Sequence, residues 1–129
     1  MDINTHKSIN SRYSGKVVYI SNKKARVVLH TNIDMVADET GLIHGGFIFS
    51  SADYAAMVAV NDKNVVLGAS ECRFIAPVKK GECVIFDAVS KSQNGRKIEV
   101  YVEGRVDGKT VFTGTFTTFV LKKHILSGN

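Results

Sequence analysis

The stretch from His44 to Val60, HGGFIFSSADYAAMVAV, constrains this chain more than any other. Two glycines open it. An Ala-rich run follows, with Phe, Ile, Met and Val on every side of a helical wheel. A helix that is apolar all round has to be buried all round. At 1.5 Å per residue it would be about 24 Å long, the width of a small domain. The rest of the fold must therefore wrap around it. The run contains one acidic residue, Asp53. A carboxylate in a buried helix is costly unless it is paired, hydrated or used, so Asp53 is the leading candidate for chemistry.

The flanking sequence is β-like. Gly15–Ile20 and Ala25–His30 read as two strands joined at Asn22-Lys23-Lys24. Residues 31–43 lead into the helix: Ile33, Met35 and Val36 can pack, and Asp38-Glu39-Thr40-Gly41 reads as a loop that could act as a lid. Beyond the polar break Asn61–Asn64, Val65–Val78 reads as one long strand, with Pro77 near its end where the missing N–H is tolerated. Cys83–Ser90 is the next strand, and Asn94-Gly95 carries a hairpin signal. Ile98, Val100 and Val102 then alternate with Lys97, Glu99, Tyr101 and Glu103. Thr110–Leu121, after the turn Asp107-Gly108, is the last strand, and its parity drifts near Thr117-Thr118, where a bulge is expected. The pattern predicts an α+β fold in residues 15–121: a long central helix wrapped by a curved antiparallel sheet of about six strands. Residues 1–14 read as a polar lead-in that frays, and 122–129 as a tail.

A length of 129 residues suits one domain. The 44% hydrophobic and 22% charged content is that of a globular protein. No polar-free apolar run reaches about 18 residues, and the polar N-terminus lacks a signal-peptide core, so no membrane span and a cytoplasmic location are expected. Cys72 and Cys83 have no CxxC spacing and no nearby His, which points to plain thiols rather than a zinc site or a disulfide. The net charge of +5 is dispersed over short clusters such as Lys79-Lys80 and Lys122-Lys123. It reads either as a solvated surface or as a complement to a phosphate-bearing ligand. No nucleic-acid recognition motif is present.

Two motifs carry a resemblance. His44-Gly45-Gly46 is followed nine residues after the histidine by Asp53, and Phe74-Ile75-Ala76-Pro77-Val78-Lys79-Lys80-Gly81 has an aromatic-x-x-Pro-x-x-x-Gly pattern. With the strand order, these resemble the hotdog-fold acyl-CoA thioesterase superfamily, of the phenylacetic-acid-pathway type, over roughly residues 15–121. The second half, through Val111–Phe116, is also similar to the hotdog effector domain of the fatty-acid and phospholipid biosynthesis repressor. The resemblance implies that two subunits pair their sheets edge to edge, as a homodimer, and that many members pair again into tetramers. It places an acyl-CoA thioester at the dimer interface, near one helix start, with the catalytic carboxylate coming from the other subunit. It implies no cofactor; coenzyme A enters as part of the substrate.

Thioester hydrolysis needs a polarised carbonyl and an activated water or a carboxylate nucleophile. A helix start offers unpaired N–H groups and a positive dipole end. Gly45, Gly46 and Phe47 are thus candidate oxyanion donors, a reading favoured over glycines that only ease the turn into the helix. Asp53 is the candidate general base or nucleophile. His44 either orients the thioester or fixes the loop. Phe47, Phe49, Tyr54 and Phe74 suit an apolar pocket wall as well as a core, and Ser50 and Ser51 are candidates for polar contacts, with simple helix-surface residues the favoured reading. Arg73, Lys79 and Lys80 are candidates for the phosphates of coenzyme A or ordinary surface charge. Some relatives carry Asn six residues before the motif histidine; here Asp38 stands there, with Asn32 and Glu39 as substitutes.

The alternative to an enzyme is a non-catalytic acyl-CoA or malonyl-CoA binding protein. The residues ahead of the first strand are too few for the repressor's helix-turn-helix, and Asp53 stands where that group tends to carry Asn; both features favour the enzyme. A dehydratase of hydroxyacyl thioesters would place Asp and His in a different helix motif, which this chain lacks.

Overall fold

The apolar run forms one helix, α2 (Gly45–Val60), and the remaining elements are laid around it in a computed structural model that describes residues 1–127. In chain order these are α1 (Ser11–Ser14), β1 (Lys16–Ser21), β2 (Lys24–His30), a 3-10 turn (Ile33–Met35), α2, β3 (Val65–Phe74), β4 (Cys83–Asn94), β5 (Lys97–Val106) and β6 (Lys109–Val120). The strands form one antiparallel sheet in the order β1-β2-β4-β5-β6-β3. Ala52, Ala55, Ala56 and Ala59 are buried, and their small side chains let the sheet approach the helix closely. Val27, Leu29, Phe86, Val100, Val102, Phe112 and Phe116 fill the layer between them. Asn61 adopts the left-handed conformation and closes the helix by donating its N–H to the Met57 carbonyl. Among the described residues no helix is long and apolar enough to cross a membrane.

Three sequence expectations are corrected. The long strand stops at Phe74 rather than Val78, because the N–H groups of Ile75 and Ala76 both turn to the Val111 carbonyl, at 2.8 and 3.3 Å. The chain has already left the ladder when it reaches Pro77, which has no N–H to donate. After the helix β4, β5 and β6 pair in chain order, whereas β3 lies beside β6 at the edge and β4 lies beside β2. The bulge expected at Thr117-Thr118 sits on the opposite strand. Leu67 faces Thr118 and Ala69 faces Thr117, which leaves Gly68 unpaired. Thr118 stays buried and donates its hydroxyl to the Ile98 carbonyl at 2.9 Å. Finally, the lead-in is anchored rather than frayed. The Asn4 N–H donates to Asn61 Oδ1 at 2.7 Å, and Asn61 Nδ2 donates to the Asp2 carbonyl at 2.9 Å. Thr5 is buried, Tyr13 packs on Phe47, and Arg12 pairs with Asp34.

Gly15, where α1 turns into β1, shows how tightly this anchor is built. Its φ is +84°, and a Cβ there would lie 2.6 Å from Val27 Cγ1 and 3.0 Å from the Val28 carbonyl oxygen. With ψ of 173° it occupies backbone space that is essentially glycine's alone. Gly15→Ala is expected to destabilise the fold by more than about 2 kcal/mol, through backbone strain and overpacking together. Urea unfolding of the two proteins measures it, and a loss below about 0.5 kcal/mol would contradict the strain.

Candidate functional site

The site begins where the chain enters α2. His44 occupies the N-cap with extended backbone and makes no side-chain cap. Its N–H donates to the Met35 carbonyl, and that of Ile43 to the Val78 carbonyl, both at 2.9 Å. The Phe47 N–H turns back to the His44 carbonyl at 3.1 Å, which removes it from the oxyanion candidates. Among the described residues the N–H groups of Gly45 and Gly46 have no backbone acceptor.

Both glycines have a steric reason. A Cβ on Gly46 would lie 2.8 Å from His44 Nε2, since the exposed imidazole folds over that position. A Cβ on Gly45 would lie 3.4 Å from the Phe74 ring. Beside them opens a cavity of about 250 Å³ walled by Leu42, Ile43, Ile48, Phe74, Pro77 and Val111, with Gly45 at its rim.

Asp53 stands two turns further along α2. Among the described residues its Oδ1 is buried with no hydrogen-bond partner, and burial pushes the carboxyl up to about 6. Cys72 on β3 is its electrostatic neighbour. Its own burial raises the thiol pKa most; the Ser70 side chain opposes this and the Asp53 charge adds to it. Gly45 and Asp53 are eight residues apart, about 12 Å along the axis. A carbonyl held by the Gly45 N–H is therefore out of reach of Asp53 in the same chain, because reacting atoms must come within about 3.5 Å.

The other candidates divide. Lys79 and Lys80 are exposed and flank the cavity: Lys79 bridges to Leu42, and the Lys80 N–H donates to the Gly41 carbonyl at 2.7 Å. Arg73 faces Thr113, one residue out of step with the inward pair Phe74–Phe112, so it lies on the outer side of the sheet and is not brought to the helix start. Ser50 is 2.7 Å from Ser14, hydroxyl to hydroxyl, and holds α1 in place. Phe47 is packed between Tyr13 and His44. Ser51 is fully buried, and its hydroxyl has no partner among the described residues.

Asp38 accepts from the Thr40 N–H and hydroxyl at 2.9 and 2.6 Å, which holds its carboxyl below the usual range and ties it to its own loop. Asn32 accepts from the Asp34 N–H and starts the 3-10 turn. Cys72, Leu42, Ile48 and Val111 were not singled out from the sequence. The signal for Cys72 was Gly68, whose bulge resets the parity of β3 and turns Cys72 and Phe74 inward.

Comparison with known proteins places this geometry. A stretch of 121 residues, 94% of this chain, is 47% identical to part of the methylthioribose-1-phosphate isomerase of Aquifex aeolicus, of which it covers 26%. The transcription factor FapR of Thermoanaerobacter sp. is 28% identical over 104 residues, 81% of this chain and 52% of that protein. The chain thus spans about a quarter of the first curated relative and about half of the second. The crystal structure of PH1136, an uncharacterized protein from Pyrococcus horikoshii, matches with a TM-score of 0.96 at 42% identity, over 98% of this chain and 97% of that one. A mutant of the phenylacetic acid degradation protein PaaI from Thermus thermophilus matches with a TM-score of 0.79 at 29% identity, over 84% and 95%. The family model of the thioesterase superfamily matches residues 40–113, from the loop before α2 to β6. That match covers more than half of the chain and takes in His44, Gly45, Gly46 and Asp53: the chain belongs to the thioesterase superfamily and has its hotdog fold.

Proposed function

We propose that this protein hydrolyses acyl-CoA thioesters at a site shared by two copies of the chain. The carrying observation is Asp53, a carboxyl whose pKa burial raises and whose Oδ1 has no partner among the described residues, in a chain whose helix start offers two N–H groups without a backbone acceptor among those residues. The N–H groups of Gly45 and Gly46, at the positive end of the α2 dipole, hold the thioester oxygen as it gains charge. Asp53 from the second copy takes a proton from water, and the hydroxide adds to the carbonyl carbon. The C–S bond then breaks; the acid leaves, and the thiolate leaves as coenzyme A and takes up a proton.

The distance along α2 calls for the second copy, and β3 is the edge strand next to Asp53, with its Gly68–Glu71 stretch exposed for pairing. The exposed Lys79-Lys80 pair beside the cavity suits the phosphates of coenzyme A. The free thiols Cys72 and Cys83 fit a reducing compartment such as the cytoplasm. The similarity to FapR favours a second reading, an acyl-CoA binding protein without turnover.

The test is thiol release from butanoyl-, octanoyl- and phenylacetyl-CoA across pH. A base must be ionised to act, so kcat/KM is expected to rise with pH and level off above a pKa of about 6. A pH-independent rate through that range would remove Asp53 from the role. Saturable binding without turnover would establish the second reading.

A further inference from the structure

One aromatic ring, that of Phe74, lines the cavity at the start of α2. We propose that Phe74 sets the length of the acyl group this site accepts, an inference that rests on a thioester being held at the Gly45 and Gly46 N–H groups. The backbone that carries the ring is fixed. β3 ends at Phe74, and the next two N–H groups share the Val111 carbonyl. The ring stands edge-on to Phe112, with centroids 5.3 Å apart, and Phe112 is itself fully buried. The other side of the ring reaches the helix start, where Cε1 comes within 3.4 Å of an added Gly45 Cβ. Phe74 is nevertheless 55% exposed. Part of the ring thus lines the cavity and part meets the outside, beside the Gly45 N–H.

The chemistry of the lining identifies the occupant. Leu42, Ile43, Ile48, Pro77 and Val111 are apolar, and among the described residues no charged side chain lines the space. The phosphates of coenzyme A have no partner inside, whereas Lys79 and Lys80 wait outside. The acyl chain is the part of the substrate that fits. The volume is about 250 Å³. A benzene ring occupies an engineered cavity of about 150 Å³, so the space is of the size that a medium-length acyl group fills. A longer chain meets the Phe74 ring.

The test uses butanoyl-, octanoyl-, dodecanoyl- and hexadecanoyl-CoA. Turnover is measured with wild type, Phe74→Leu and Phe74→Ala. Binding is measured by calorimetry with the same three side chains at position 74 in an Asp53→Asn background, which keeps the thioester intact. With Phe74, both readouts are expected to rise from butanoyl to octanoyl and fall at dodecanoyl. Phe74→Ala is expected to favour dodecanoyl over octanoyl by at least about tenfold more than wild type does, with Phe74→Leu between.

Unfolding midpoints identify a variant that has lost its fold; the milder Leu variant then decides. An unchanged order of chain lengths in a folded variant overturns the inference. Binding with this length limit but no turnover by wild type would defeat hydrolysis and leave Phe74 its role. Turnover with no change at position 74 would do the reverse. Neither binding nor turnover would defeat both.

Discussion

Asp53→Asn is expected to lower kcat/KM for acyl-CoA hydrolysis by about a thousandfold and, at the same time, to make the fold more stable above a pH of about 6. The first effect follows from removing the base: an amide of nearly the same shape cannot take a proton from water. The second follows from the burial that raises the carboxyl from 3.8 to about 6. Between those values the folded protein keeps the proton while the unfolded chain releases it. The native state then binds more protons, so stability falls as pH rises through the window. Once both states are ionised, the deficit is about 3 kcal/mol, at 1.36 kcal/mol per pKa unit. The amide carries no such deficit, though its own unpaired groups offset part of the gain. Unfolding midpoints of the two proteins should coincide below a pH of about 4 and diverge above it in favour of the variant. Parallel pH profiles would show that Asp53 is satisfied in the folded protein.

Phe112→Ala is expected to cost about 3–5 kcal/mol, the largest effect on stability of any substitution proposed for this chain. Phe112 has no exposed surface and stands in a string of rings: Phe74 at 5.3 Å, Phe86 at 6.2 Å and Phe116 at 6.5 Å. Gly104 makes the room, since a Cβ there would meet Phe86 at 2.9 Å and Phe112 at 3.3 Å. Rings braced from three sides cannot relax into the space that one of them leaves, so the cavity term stays large. Urea unfolding with an unchanged slope measures the loss. A value under about 1 kcal/mol would mean that the neighbours collapse into the gap.

The helix was legible because its signal is local. The stretch from His44 to Val60 became α2 with only His44 left outside, as its N-cap, and Asp53 stood out as the one charge inside it. Ile98, Val100 and Val102 are buried as their alternation required. What escaped depends on partners distant in the chain. The pairing of β3 with β6 is invisible in either strand alone, and with it the face on which Arg73 lies. Gly68 shifts that parity by one residue, and a lone glycine inside a strand is its one local sign. Ser50 looked free for a ligand until Ser14 folded back onto it. The cavity joins Leu42, Phe74 and Val111, three points that only the closed sheet brings together.

The strand order also dictates how this chain must come to its fold as it is made. β3 has one neighbour in the sheet, β6, and no ladder partner exists for it until β4 and β5 have been synthesised and threaded between β2 and β6. The apolar α2 precedes all four of these strands, so a nascent chain carries its greasiest segment uncovered through most of its later synthesis. The pairs β1–β2, β4–β5 and β5–β6 are local hairpins, but the closure of β3 on β6 and β4 on β2 is non-local and slow, typically milliseconds to seconds. Chaperone demand on this protein should thus peak just before β6 emerges from the ribosome and end abruptly when it does.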